Sequence, residues 1–204
     1  MKKNIFGGLF VAIDGVKGVG KTTLVEQVYK TLKSDGINAC CTQEPTNTAR
    51  GDFVRRTAAT LGGDGLACFV AADRYFHLEE DVIPRLKNNE VVITDRYALS
   101  SLLFQKMDGV ETDFILDINK NVICPDIQIV VVSDLKTIKK RLDSREVKQD
   151  RFENANQTSR EMNLLSEGAQ IFMDLGVNVM VIENASSIQS AALIVVESIR
   201  KALA

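Results

Sequence analysis

Gly15-Val16-Lys17-Gly18-Val19-Gly20-Lys21-Thr22 is a complete G-x-x-x-x-G-K-[ST] run, and its surroundings make it more than a pattern. Leu9-Phe10-Val11-Ala12-Ile13 precedes it and reads as a buried strand. Thr22 to Ser34 follows as an amphipathic helix with Leu24, Val28 and Leu32 on one face. Strand, glycine-rich turn and helix is the context in which such a run cradles phosphate. The glycines let backbone N–H groups face an anion with no Cβ in the way, and the helix N-terminus adds positive partial charge. In this frame Lys21 reaches the β- and γ-phosphates, and the Thr22 hydroxyl, followed by Thr23, ligates Mg2+.

Working outward, strands and helices alternate. Ile37 to Thr42 reads as a second strand, and Pro45 keeps the following loop out of a central strand. Arg50 to Leu61 reads as a helix with Phe53, Val54 and Ala58 inward. Gly62-Gly63-Asp64-Gly65 is a break, followed by a long helix from about Leu66 to Asn88 with a kink expected at Pro84. Glu90 to Asp95 is the third strand, with helices from Ala98 to Met107 and from Thr112 to Asn121. Ile127 to Val132 is a fourth strand, uncharged and rich in branched residues, which predicts burial on both faces. Asp134 caps a helix to Ser144, the charge-dense stretch 145–151 reads as a loop, and a helix runs from about Asn154 to Leu175. Val177 to Ile182 is the fifth strand and Ile188 to Ala202 the last helix. This pattern predicts an α/β fold, a parallel sheet with helices on both faces in a single domain over 1–204. Ligands of such sheets bind beyond the carboxyl ends of the strands.

Composition narrows the partners. The chain has 204 residues, 45% hydrophobic and 25% charged, with a formal net charge of −2. The lack of a basic excess argues against polymeric nucleic acid as the main partner. No apolar stretch reaches membrane-spanning length, and no signal peptide is read at the N-terminus. Cys40, Cys41, Cys68 and Cys124 form no C-x-x-C pair, and His77 is the sole histidine, so no zinc site is spaced. Cys40 and Cys41 sit in an apolar run and are expected to be buried free thiols, as suits a reducing cytoplasm.

Asp95 ends an apolar strand, where a phosphate-loop protein keeps its acidic partner of Mg2+. A strand-end Asp also serves as a helix cap, but Asp95-Arg96-Tyr97 would set a guanidinium beside the phosphates. Arg55, Arg74, Arg96, Arg141, Arg145 and Arg151 all lie on segments beginning or ending near the expected carboxyl edge. Transfer between two nucleotides gathers negative charge in one cleft, and guanidiniums neutralise it bidentately.

Ordered blocks carry a resemblance along nearly the whole chain. Asp14 to Thr23, Glu44-Pro45-Thr46-Asn47-Thr48 with Arg55 downstream, Ala71-Ala72-Asp73-Arg74 and Asp95 to Ser101 together resemble the thymidylate kinases. Pro125-Asp126, Lys140-Arg141-Leu142 and Asp150-Arg151-Phe152-Glu153 fit the same pattern. The resemblance implies a P-loop NTPase fold, an ATP- and Mg2+-dependent conversion of dTMP to dTDP, and a homodimer. It implies that Arg74 meets the base, that Arg96 with Arg55 clamps the acceptor phosphate, and that Ser100, Ser101 and Gln105 lie near the base. Phe104 stands where the family disfavours a ribose 2′-hydroxyl, with Asp14, Glu44 and Pro45 on the same acceptor side. The segment 145–153 reads as a lid; the resemblance implies a catalytic arginine in either the phosphate loop or the lid, and with Gly at position 18 it implies that Arg145 or Arg151 supplies it.

Three positions depart from the family. Lys17 stands where an Asp or Glu is usual, Val70 where a stacking Phe is usual (Phe69 is adjacent), and Gln43 where an Arg is usual. Two alternatives therefore stay open: a kinase of this fold for a modified or different nucleoside monophosphate, and a catalytically weak nucleotide-binding module. A GTPase reading fails because no Asn-Lys-x-Asp run is present.

Overall fold

β1 (Leu9–Gly15) is buried at every position, which requires neighbours on both sides and cover on both faces. The computed structural model describes residues 1–143, 155–184 and 187–204. Beside β1 lie β3 (Val91–Asp95) and β4 (Ile127–Val132), with β2 (Ala39–Gln43) and β5 (Val179–Glu183) at the edges. All pairings are parallel, in the order β2-β3-β1-β4-β5. In register, Ile13 faces Asp95 and Asp95 faces Gln43. The carboxyl ends of β1, β2 and β3 therefore finish at one edge, with Asp14 one step beyond that level.

The strands succeed each other to one side of β1 and then to the other. Right-handed crossovers then place helices on both faces. α1 (Lys21–Ser34) packs against α9 (Ile188–Leu203), and α5 (Ala98–Met107) packs against α8 (Ala155–Asp174). Phe10, Val11, Ile13, Leu24, Val28, Ile93, Leu99 and Ile129 are fully enclosed in the core between them. No described helix is long and apolar enough to cross a membrane.

Several sequence expectations are corrected. The long helix after the glycine break begins earlier, as α3 (Gly63–His77), and is interrupted before Pro84 rather than bent at it. Residues Leu78–Val82 form a π turn, with the Ile83 N–H reaching back to the Leu78 carbonyl, before α4 (Ile83–Lys87). Pro84 has no N–H and crowds the carbonyl four residues earlier, and the wider turn relieves that crowding. α2 (Ala49–Ala58) stops three residues short of Leu61, and Phe53 does not point inward. It is 43% exposed and meets Phe69 edge-on at 4.9 Å between ring centres. β2 starts two residues late and is an edge strand, so Cys41 is exposed and Cys40 only half buried. α6 (Thr112–Ile118) ends before Asn119, whose side chain turns inward to Arg74. α7 (Leu135–Asp143) is capped by the Asp134 carboxylate accepting from the Thr137 N–H at 2.8 Å. The lid segment 145–153, with Arg145 and Arg151, lies outside the described residues.

Candidate active site

The phosphate loop is shaped by two left-handed glycines, Gly18 at φ 81° and Gly20 at φ 98°. Gly20 caps α1 without a side-chain hydrogen bond, so the first N–H groups of the helix stay available to an anion. Val16 and Val19 anchor the loop in the core, while Thr22 and Thr23 are exposed on the first turn of α1. The outer side of the loop is held from far along the chain. The Val19 carbonyl accepts from Asn184 Nδ2 at 2.8 Å and from Arg141 Nη1 at 2.9 Å. Arg141 thus grips the loop backbone, and Asn184, one residue past the end of β5, does the same.

Lys21 is buried, and its Nζ donates to the Val16 carbonyl at 3.0 Å. Burial pulls its pKa down to about 7, with Arg96 pushing the same way and Asp95, Asp14 and Glu161 opposing. Thr22 Oγ1 donates to Asp95 Oδ2 at 2.6 Å. The other Asp95 oxygen, Oδ1, is buried without a partner among the described residues. A hydroxyl and an orphaned carboxylate oxygen side by side suit a hard, oxygen-ligated cation such as Mg2+. Among the described residues no three acidic, His or Cys groups converge to hold a metal alone. That fits Mg2+, which takes most of its ligands from phosphate and water.

Arg96 links this loop to the acceptor side. Its backbone is left-handed, φ 74°, and its Nη1 donates to the Gly15 carbonyl at 3.3 Å and to Ser100 Oγ at 3.2 Å. The guanidinium lies over the Phe104 ring, 4.8 Å from its centre, a cation–π contact. Asp14 does not open into a cavity. It is 0% exposed, accepts from Ser100 Oγ, from the Tyr97 N–H at 3.3 Å and from Gln128 Nε2 at 3.0 Å, and burial raises its pKa. Asp14 therefore sits behind Ser100, which in turn touches Arg96.

A cavity of about 350 Å³ gathers most of the expected acceptor residues: Lys17, Glu44, Pro45, Arg55, Val70, Arg74, Arg96, Ser100, Ser101, Phe104 and Gln105. Phe69 is not among its walls; it faces outward beside Phe53. At the deep end Arg74 is 1% exposed. It donates from Nε to Glu44 at 2.7 Å, from Nη1 to Ser101 at 3.0 Å and Asn119 at 2.6 Å, and from Nη2 to the Tyr97 carbonyl at 3.2 Å. Four of five guanidinium N–H groups are engaged, leaving one for a ligand. Glu44 also meets His77 Nδ1 at 3.1 Å, and His77 Nε2 meets Thr42 Oγ1 at 2.6 Å. Gln105 is buried, and its Oε1 has no partner among the described residues. Arg55 braces the turn by donating to the carbonyls of Pro45 at 2.7 Å and Thr46 at 2.8 Å.

Sequence reasoning missed Asn119, His77, Gln128 and Glu161. Asn119 sits in the turn after α6, His77 at the end of α3 and Gln128 in β4, and all three become polar anchors only through tertiary packing. Glu161, on α8, lies 2% exposed in the cavity wall. Burial pushes its carboxyl up to about 7, against the pull of Arg96, the Lys17 backbone N–H, and the Lys21 and Lys17 ammonium groups.

Comparisons with known proteins show the family. The model of the family described as thymidylate kinase matches residues 13–190. A probable thymidylate kinase of Thermococcus onnurineus (strain NA1) is 33% identical over 153 residues, 70% of this chain and 75% of that one. A probable thymidylate kinase of Caldivirga maquilingensis is 34% identical over 141 residues, 67% of this chain and 69% of that one. A thymidylate kinase of Xanthomonas oryzae pv. oryzae is 35% identical over 127 residues, 61% and 56% of the two chains.

Proposed function

The chain belongs to the thymidylate kinase family, and from that premise we propose how its cleft converts ATP and dTMP to ADP and dTDP. The observation that carries the proposal is Arg96, which touches the phosphate loop at Gly15 and also walls the acceptor cavity. One guanidinium then serves both phosphates of the reacting pair. ATP lies on the loop, with Lys21 and the first N–H groups of α1 around its β- and γ-phosphates. Mg2+, held by Thr22 and Asp95, would neutralise charge between those phosphates.

The acceptor enters the cavity of about 350 Å³ base first. Thymine offers an N–H flanked by carbonyl oxygens. The unpartnered Gln105 oxygen suits the N–H and the remaining Arg74 donor suits a carbonyl. Because the acceptor's phosphate oxygen is already ionised, no general base is needed. The chain's work is alignment and charge neutralisation by Arg96, Lys21 and Arg55.

ADP release measured with dTMP, dUMP, dCMP and purine monophosphates tests this reading, with dTMP expected to give the highest kcat/KM. ADP release that ignores the acceptor would establish a nucleotide-binding module instead, and a clear preference for another monophosphate would move the substrate. The outer face of α2 and α3 supports a homodimer. Phe53, Phe69 and Phe76 are 43%, 45% and 44% exposed around a hollow of about 310 Å³, a patch suited to burial against a second copy. Sedimentation should give a dimer that Phe69→Glu turns into a monomer; a monomeric wild type discards it. The four free cysteines support a reducing, cytoplasmic setting.

A further inference from the structure

Glu161 is a buried carboxylate in the wall of the acceptor cavity, delivered by α8 from outside every motif of the chain. An acid in such a place needs a reason, because burying it is costly unless something uses its charge. Arg96, the Lys17 N–H, Lys21 and Lys17 favour its ionised form, yet burial outweighs them. One backbone N–H occupies only part of what a carboxylate can accept, since its two oxygens offer about four lone-pair sites. Glu161 lines the cavity, so a ligand seated there lies within reach of its carboxyl.

The chemistry of the incoming group follows from sign. An anion beside Glu161 would meet like-charge repulsion in a poorly solvated pocket, so the acceptor phosphate belongs on Arg96 and not here. The base belongs at the opposite, deep end, where Arg74, Ser101 and the unpartnered Gln105 oxygen lie. Between base and phosphate a nucleotide presents its sugar, whose remaining polar group is a neutral hydroxyl. Such a group can donate to a carboxylate.

We propose that Glu161 is a positioning and specificity-determining residue that accepts a hydrogen bond from the sugar hydroxyl of the acceptor, so that α8 and the phosphate loop at Lys17 together register the nucleotide along the cavity. The proposal rests on the kinase reading above. It makes the chain selective against monophosphates that lack that hydroxyl. A site built to bond a hydroxyl discriminates strongly against an analogue without one, because its own polar group is then left without a partner.

The test compares dTMP with 3′-deoxy-dTMP at saturating ATP for wild type, Glu161→Gln and Glu161→Ala. Wild type should prefer dTMP by about 10- to 100-fold in kcat/KM. Glu161→Ala should lose about that factor on dTMP while leaving the deoxy analogue and the KM for ATP unchanged, so that the preference collapses. Glu161→Gln keeps an acceptor oxygen and nearly the same shape. It should be intermediate, and it carries the test if the Ala variant folds poorly. Equal losses on both monophosphates would assign Glu161 a purely structural role and overturn the proposal. So would a wild type that treats the two alike. Wild-type protein that phosphorylates neither monophosphate removes the kinase reading itself, an outcome distinct from both.

Discussion

At the deep end of the acceptor cavity buried charge is settled before any ligand arrives: Arg74 lies against Glu44 at 2.7 Å, and Ser101, Asn119 and the Tyr97 carbonyl take three of its other four donors. At the phosphate loop it is not. Lys21 is drawn down to about 7, Glu161 is pushed up to about 7, and Asp95 Oδ1 has no partner among the described residues. One end is a network that holds a shape, and the other is a set of groups whose partners arrive with the nucleotides: phosphate for Lys21, metal for Asp95 and the sugar hydroxyl for Glu161. Specificity needs the first kind of site, because a rigid donor and acceptor pair reads a base edge. Phosphoryl transfer needs the second, because its positive charge must answer charge that arrives with the nucleotides.

The comparison is easiest to break at the settled end. Arg74→Met leaves Glu44 buried beside His77 without its guanidinium. Stability should fall by about 3–5 kcal/mol in denaturant unfolding of the ligand-free protein. A loss below about 1 kcal/mol would mean that the network is not settled in the sense described.

Lys21→Met should do the reverse. Turnover should drop by about 10²- to 10³-fold, while the unfolding free energy stays level or rises, because a poorly solvated amine is replaced by an apolar chain of similar length. A destabilisation matching that of Arg74→Met would erase the contrast between the two ends.

The smallest effect sharpens the comparison through pH. The folded Glu161 pKa of about 7 lies above its unfolded value of about 4.3. Between those values the folded state holds the extra proton, so this group lowers stability as pH rises from about 4.3 to 7. Lys21, lowered to about 7 from an unfolded value of about 10.4, adds a rise in stability from about pH 7 upward. Urea unfolding of the ligand-free protein across this range should show Glu161→Gln flattening the acid limb and leaving the alkaline limb. An unchanged acid limb would mean that the carboxyl is not held in that state.

The same division governs what could be read from the sequence. The phosphate loop, Asp95 and the alternation of strands and helices were legible because each is local: a periodicity, a strand end, a fixed glycine spacing. Arg74 and Arg96 were legible through the ordered blocks around them. Asn119, His77, Gln128 and Glu161 were not, since nothing within a few residues marks a Glu in the middle of a helix as a cavity wall. Asp14 was placed on the acceptor side, but it is fully buried behind Ser100, which donates to it, and is not part of the cavity wall. Phe53 was expected inward from helical spacing, yet α2 packs mainly on α3, where Phe53 meets Phe69 edge-on and stays 43% exposed. Cys41 was expected to be buried because its run is apolar, but an edge strand has one side without a neighbour.

The Val19 carbonyl is tied to Asn184, a residue 165 positions later. The tie sets an order on biosynthesis. A ribosome makes the glycine turn long before it reaches Asn184, which with Arg141 braces the turn from outside. Until β5 has docked at the sheet edge, the nascent chain carries a phosphate grip without one of its two braces. The fully braced nucleotide grip is therefore acquired later in synthesis than the motif that forms its inner side.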